Sequence, residues 1–195
     1  MENTDFENFK SAFNHAMLYE VGPFWNPNDP DVIDGNIGTR EQKRKVGYVN
    51  IKQDTGGETK YGIAQNKNPN INVRDLNLEL AMQVYYDEYW LLSHCDKLDH
   101  PLIIMHFDSC VNHGVTRGNT FLQIAAQVKA DGIIGNITLS AIKQANVSLL
   151  INRIYNTREN FYRDIVKRKP SQQIFLNGWL NRISEVKEYC LSYLE

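Results

Sequence analysis

Apolar residues recur at helical spacing through most of the chain and at strand spacing only within its first third. Phe6, Phe9, Phe13 and Met17 line one face of a first helix. Thr4 and Glu7 stand where a capping box has its two members, and Gly22 and Pro23 close the helix. Between residues 23 and 45 the period lapses. Pro23, Pro27, Pro30, Gly35 and Gly38 predict a long loop there, ending in the basic cluster Arg40, Lys43, Arg44 and Lys45. Residues 46–51 and 58–63 read as two short strands joined across 52–57.

After Pro69 the helical period returns. Asn77 predicts the cap of a helix running to about residue 92. Pro101 opens an almost wholly apolar helix over 102–111, a pattern that requires burial on all sides. Thr116 is the expected cap of the next helix, and the glycines of 131–136 predict a turn. A short helix from Asn136 or Thr138, a long one over 148–168 and, beyond Pro170, a last one over 171–194 complete the pattern. The expected class is mainly α (α+β), helical with one small β-hairpin.

Composition narrows the partners. The 195 residues suffice for one large domain or two lobes. The chain carries 21 basic and 23 acidic residues, a net charge of -2, which gives no footprint for nucleic acid and no basic membrane-binding face. Cys95, Cys110 and Cys190 are odd in number and lie in apolar helical segments, so reduced packing thiols are expected. The acidic start lacks the basic and apolar regions of a secretory leader, and no apolar run reaches membrane-spanning length. Synthesis in the cytoplasm without a signal peptide is the expectation, with no stable membrane insertion.

The polar residues that carry chemistry are few. His106 and His113 could join Cys110 or Cys95 in a zinc site, although no compact metal motif is present and the leading expectation is no metal and no cofactor. No nucleophile elbow or phosphate-binding glycine loop occurs. Asp108, inside the apolar helix, needs a partner, and the loop backbone near Asn112 is the expected one. Glu20 closes the first helix where its apolar stripe ends, and Asp54 and Glu58 follow on the hairpin. A helix-terminal carboxyl and a second carboxylate could bracket a glycosidic bond, one protonating the leaving oxygen and the other acting on water or the cation-like transition state. Thr59 could hold the water, and Trp25, Tyr61, Trp90 and Trp179 are candidate stacking faces for sugars.

These residues carry a resemblance. Glu20, then Gly47-Tyr48-Val49-Asn50, then Asp54-Thr55-Gly56-Gly57-Glu58-Thr59-Lys60-Tyr61-Gly62-Ile63 resemble the Glu-Gly-Gly-Tyr and Asp-x-Gly-Gly-x-Thr-x-x-Gly-Ile signatures of glycoside hydrolase family 108, lysozyme-like N-acetylmuramidases of the phage endolysin type. Phe107-Asp108 with Asn112 and Gly114, Leu122-Gln123, Asp131-Gly132-x-x-Gly135-x-x-Thr138 and Gly178-Trp179-Leu180-Asn181-Arg182 resemble the family's peptidoglycan-binding region. The order is kept over residues 6–183. The departure is at Glu20-Val21-Gly22-Pro23, where an insertion over 23–45 separates the glutamate from Gly47-Tyr48.

The resemblance implies a lysozyme-like helical fold, with residues 1–100 as the catalytic region and 101–195 as a helical peptidoglycan-binding region of the same compact unit. It implies Glu20 as the acid. Asp54 as its partner follows by analogy with other phage lysozymes, and Glu58, at a variable position, ranks third. The expected function is an endolysin-type muramidase that cleaves the β-1,4 bond between N-acetylmuramic acid and N-acetylglucosamine. It would be a monomer acting on peptidoglycan glycan strands of the host cell wall, released with a holin if phage-encoded. Two alternatives stand beside it: a non-catalytic wall-binding or virion module, in which the 131–138 loop and terminal helices hold glycan, and a chitinase- or chitosanase-like hydrolase.

Overall fold

The prolines and glycines of 23–45 are helix punctuation as well as loop residues. Asp29 accepts a hydrogen bond from Asp31 N, Pro30 takes the first helical position, and Gly35 closes the turn at φ 70°. Thr39 and Gln42 form a complete capping box around a second short helix. The segment expected to be an irregular loop therefore contains two capped helices. Lys45 ties them together, with its Nζ 2.9 Å from Asp29 and 3.0 Å from Asp31.

The computed structural model describes residues 3–50 and 57–195. Their α-helices are α1 (Asn3–Glu20), α2 (Pro30–Asp34), α3 (Arg40–Lys45), α4 (Leu78–Tyr85), α5 (Leu102–His113), α6 (Val115–Ala125), α7 (Asn136–Gln144), α8 (Val147–Arg168) and α9 (Gln173–Leu191). The sheet is the antiparallel pair β1 (Thr59–Lys60) and β2 (Ile63–Ala64), with Lys60 opposite Ile63. Among the described residues no helix is long and apolar enough to cross a membrane. The fold is mainly α with one small hairpin, as the pattern predicts.

The expected pairing of 46–51 with 58–63 is present as one antiparallel bridge, with most of its connection outside the described residues, and a tighter hairpin begins within the second segment. Its turn is Tyr61-Gly62, both at positive φ (51° and 75°), as a two-residue type I′ turn requires. The segment expected to form the first strand contributes a single bridge, in which Val49 and Thr59 each donate a 2.9 Å backbone hydrogen bond to the other. Residues 51–56, including Asp54, lie outside the described residues.

The chain divides into two compact units, one of Met1–Ala12 with Tyr89–Glu195, the other of Phe13–Glu88. In the latter, Phe13 packs edge-on against Trp25 and Tyr85 at 5.8 and 5.2 Å. Lys60, fully buried, donates to the carbonyls of Arg74 (2.9 Å) and Leu76 (2.5 Å), tying β1 to the turn before α4. In the former unit α5 is buried from Leu102 to Cys110, the central helix its composition requires. Phe9, Trp90 and Phe107 form a mutually edge-packed cluster at 5.4–6.1 Å. Gly118 of α6 lies so close to Cys110 that a Cβ would fall 2.8 Å from its Cα, so glycine sets the α5–α6 approach.

Asp108 is not satisfied by loop backbone, as the sequence led us to expect. Arg182 Nε and Nη2 donate to Oδ1 at 3.0 and 2.8 Å, while Arg158 Nη2 makes an ion pair with Oδ2 at 2.8 Å. Burial opposes the charged carboxylate, but the two guanidinium groups prevail and hold it down at about 2. The motif residues around 131–138 likewise bind one another. Gln123 donates to Asp131 Oδ1 (2.9 Å) and to Ile133 O (3.0 Å) and accepts from Gly132 N (2.7 Å), while Asn119 donates to Gly132 O. These hydrogen bonds fix the shape of the loop, while Ile133 and Ile137 stay exposed on it.

Candidate active site

The site is built on the C-terminal end of α1. Apolar positions Phe13, Ala16 and Met17 bury one face of that helix, which delivers Glu20 at its last position, half-buried. Two positive-φ glycines approach the same end. Gly47 (φ 61°) lies against Val21 and the Glu20 carbonyl, where a Cβ would stand 3.2 Å from Val21 Cα. Gly62 (φ 75°) lies against the Glu20 side chain. A Cβ there would fall 3.0 Å from Glu20 Cβ, 3.2 Å from Glu20 Oε2 and 2.6 Å from the Tyr85 hydroxyl. The hairpin turn therefore reaches the carboxylate only because residue 62 has no side chain.

The turn is pinned from behind. Tyr85 Oη donates to Tyr61 O at 2.9 Å, and Tyr61 Oη donates to Val32 O at 2.5 Å. Tyr61 thus anchors the turn in the core, and burial pushes its phenol above the ordinary range. Thr59 opens β1, bridged to Val49 on one side and opposite Ala64 on the other. The result is a half-buried carboxyl at a helix end, faced by a rigid backbone turn, where a proton donor can be held against a substrate.

Glu58 has a different setting. Arg74 grips it with two parallel hydrogen bonds, Nε to Oε2 at 2.6 Å and Nη2 to Oε1 at 2.5 Å, and Asn50 donates to Oε1 at 2.7 Å. The Arg74 hydrogen bonds hold its carboxyl below the usual range, with a smaller contribution from Tyr48. Such a carboxylate braces the hairpin.

The aromatic expectations need correction. Tyr61 and Trp90 are fully buried and Trp25 is 8% exposed, so none offers a face to a glycan in this structure. Trp25 packs edge-on to Phe13 and Tyr61. Trp179 is partly buried and stacks on Tyr162 and Phe175 at 5.1 and 5.9 Å. Sequence reasoning missed Tyr85, which reads as one more apolar position of α4. Its hydroxyl at the Gly62 turn becomes visible only in three dimensions.

No metal-ligand set converges. Among the described residues no three His, Cys, Asp or Glu side chains form a group suited to an ion. His106 Nε2 lies 3.0 Å from Ser93 O, and His113 Nε2 lies 3.0 Å from Tyr162 Oη. Cys95, Cys110 and Cys190 are buried free thiols.

Comparison with known families decides the class. Residues 41–114 match the family described as Glycosyl hydrolase 108, and residues 117–184 match the family described as Predicted Peptidoglycan domain. The family 108 likeness is thus carried by residues 41–114, within the compact unit of the hairpin and beyond it as far as the end of the buried helix α5. No curated protein matches it. Among solved structures it is similar to "Structure of Brucella abortus SagA", at 26% identity and a TM-score of 0.65, over 74% of this chain and 86% of that one. The fold is thus the mainly α, lysozyme-like one, and the two matches together indicate a glycoside hydrolase that acts on peptidoglycan. The hydrolase match begins at residue 41, so Gly47, Gly62 and Thr59 fall within it and Glu20 precedes it.

Proposed function

We propose that this protein is an N-acetylmuramidase of the endolysin type, cleaving the β-1,4 bond between N-acetylmuramic acid and N-acetylglucosamine with Glu20 as proton donor. The observation that carries this reading is the approach of the Gly62 turn to Glu20. A turn of the matched segment closes onto one carboxyl of the preceding helix, and only a glycine permits that approach. Asp54 is the proposed second carboxylate, acting on water or on the developing positive charge, and Thr59 helps to place that water. The arm of Glu58 is already committed to Arg74, which supports its exclusion from the pair. The proposed division of labour assigns residues 1–100 to catalysis and 101–195 to wall binding. The chain would act as a monomer on the host cell wall after cytoplasmic synthesis and, if phage-encoded, holin-assisted release.

Purified sacculi provide the test. Wild type should release reducing ends belonging to N-acetylmuramic acid, and Glu20→Gln should lose about two orders of magnitude or more. Full activity in Glu20→Gln would remove the acid assignment. Binding to sacculi with no reducing ends released would favour the non-catalytic wall module, and cleavage of soluble chitin oligomers in preference to sacculi would favour the chitinase-like reading.

A further inference from the structure

A cavity of about 640 Å³ opens in the unit formed by Met1–Ala12 and Tyr89–Glu195, with Arg117, Thr120 and Ile124 of α6 on one wall and Thr157, Phe161 and Asp164 of α8 on the other. All six belong to the segment that matches the peptidoglycan domain. Its aromatic floor is poorly suited to a sugar. The Arg117 guanidinium stands 4.6 Å from the Phe161 ring centre, and His113 and Phe121 meet that ring edge-on at 5.3 and 5.6 Å, so the ring is engaged by protein rather than offered to a pyranose.

The charges suit a different ligand. Arg117 and Asp164 are exposed on opposite walls, and no ion pair joins either to the other or to a described neighbour. Residues 114–117 line the cavity at the start of α6, an 11-residue helix whose N-terminus no side chain caps. The positive helix end and the Arg117 guanidinium therefore share one wall, and both favour a carboxylate. Asp164, on the α8 wall, favours an ammonium group, and Phe121, Ile124 and Phe161 supply the apolar part of the lining. A neutral glycan can hydrogen-bond to these groups but compensates neither charge, whereas a short peptide bearing both charges compensates both.

We propose that this cavity binds the stem peptide of peptidoglycan, its free carboxylate on the Arg117 wall and the amine of its diamino residue on Asp164. The proposal rests on the reading of the chain as a peptidoglycan-acting protein and adds a contact separate from the glycan bond. The decisive experiment titrates a free stem tetrapeptide containing a diamino acid into the full chain, by calorimetry and by chemical shifts of the cavity residues. A neutral N-acetylglucosamine oligomer serves as control. Arg117→Ala and Asp164→Asn, both exposed helix positions, should each weaken peptide binding about tenfold or more, the worth of a charge-assisted hydrogen bond. Amidating the peptide carboxylate should reproduce the Arg117→Ala loss in the wild type and add little to it in the variant. Peptide binding indifferent to both substitutions, no peptide binding at millimolar concentration, or shifts at Ile124 and Phe161 caused by the glycan oligomer instead would each overturn the proposal. The readout needs no bond cleavage. A chain that binds the peptide but releases no reducing ends from sacculi refutes the muramidase reading alone, and an active chain blind to the peptide refutes the cavity alone.

Discussion

Arg182 reaches Asp108 across 74 positions of sequence and takes one carboxylate oxygen, leaving the other to Arg158. Asp108 is 1% exposed and Arg158 fully buried, so neither charge can fall back on water. Removing the shared acid leaves a buried guanidinium uncompensated, which costs far more than the pair contributes on balance. Asp108→Asn should lower unfolding free energy by about 3–5 kcal/mol. Arg182→Gln should cost less, since its side chain retains 12% exposure and Arg158 still neutralises the acid. Urea titrations of both variants check the order, and a larger loss for Arg182→Gln would contradict it.

Acid should weaken the fold well before Asp108 titrates. Burial depresses His106 to about 4 and His113 to about 3, so both stay neutral in the native state while the unfolded chain binds protons near 6.5. Below that pH the unfolded state holds more protons, and stability falls as pH falls, by at most about 1.4 kcal/mol per pH unit for each histidine. The Asp108 contribution is present above about 3.9, the ordinary Asp value, and is lost only as pH drops through the folded value of about 2. Urea midpoints should therefore decline from pH 6.5 towards pH 4. A flat profile between pH 7 and 5 would contradict the burial of both histidines in the neutral form.

Two glycines quoted from the sequence motifs should respond in opposite directions to alanine. Gly62 is at φ 75° with Glu20 and the Tyr85 hydroxyl against it, so Gly62→Ala meets both left-handed strain, roughly 1–2 kcal/mol, and a clash at the candidate acid. Activity on sacculi and thermal stability should drop together. Gly178, exposed in α9, has nothing within 4 Å of a Cβ and no positive φ. Gly178→Ala should gain about 0.5–1 kcal/mol from helix propensity, read as a raised melting temperature.

The same contrast shows what the sequence makes legible. Glu20 at the end of an apolar stripe, the buried helix α5 and the Asn77 cap follow from local rules, and the structure places them accordingly. The hairpin turn is harder. Tyr61 is a tyrosine at positive φ, held by hydrogen bonds to Val32 and Tyr85 that lie 29 and 24 residues away, so no local rule selects 61–62 over the glycine pair at 56–57. Aromatic residues suffer the same ambiguity. Tyr61, Trp25 and Trp90 have the composition of a sugar platform, but burial, which depends on the whole fold, makes them core. The short helices α2 and α3 are not read from the sequence: their caps, Asp29-Pro30 and Thr39 with Gln42, stand there, but the surrounding prolines and glycines give the segment the composition of a loop.

The identity of the second carboxylate can be tested through Glu58. Its ion pair with Arg74 is partly exposed, 22% and 54% for the two side chains, so its contribution to stability is within about 1 kcal/mol. The two hydrogen bonds from Arg74 and the one from Asn50 leave this carboxylate ionised and oriented towards its own hairpin and the turn before α4. A group so held is a poor proton acceptor, because accepting a proton would break the charge-assisted pair. Glu58→Gln should keep hydrolysis of sacculi within a few-fold of wild type, while Asp54→Asn should fall by about two orders of magnitude, in line with loss of a general base. Initial rates of reducing-end release for the two variants decide the matter. The reverse ranking would move the catalytic pair to Glu20 and Glu58 and make Arg74 part of the chemistry rather than of the scaffold.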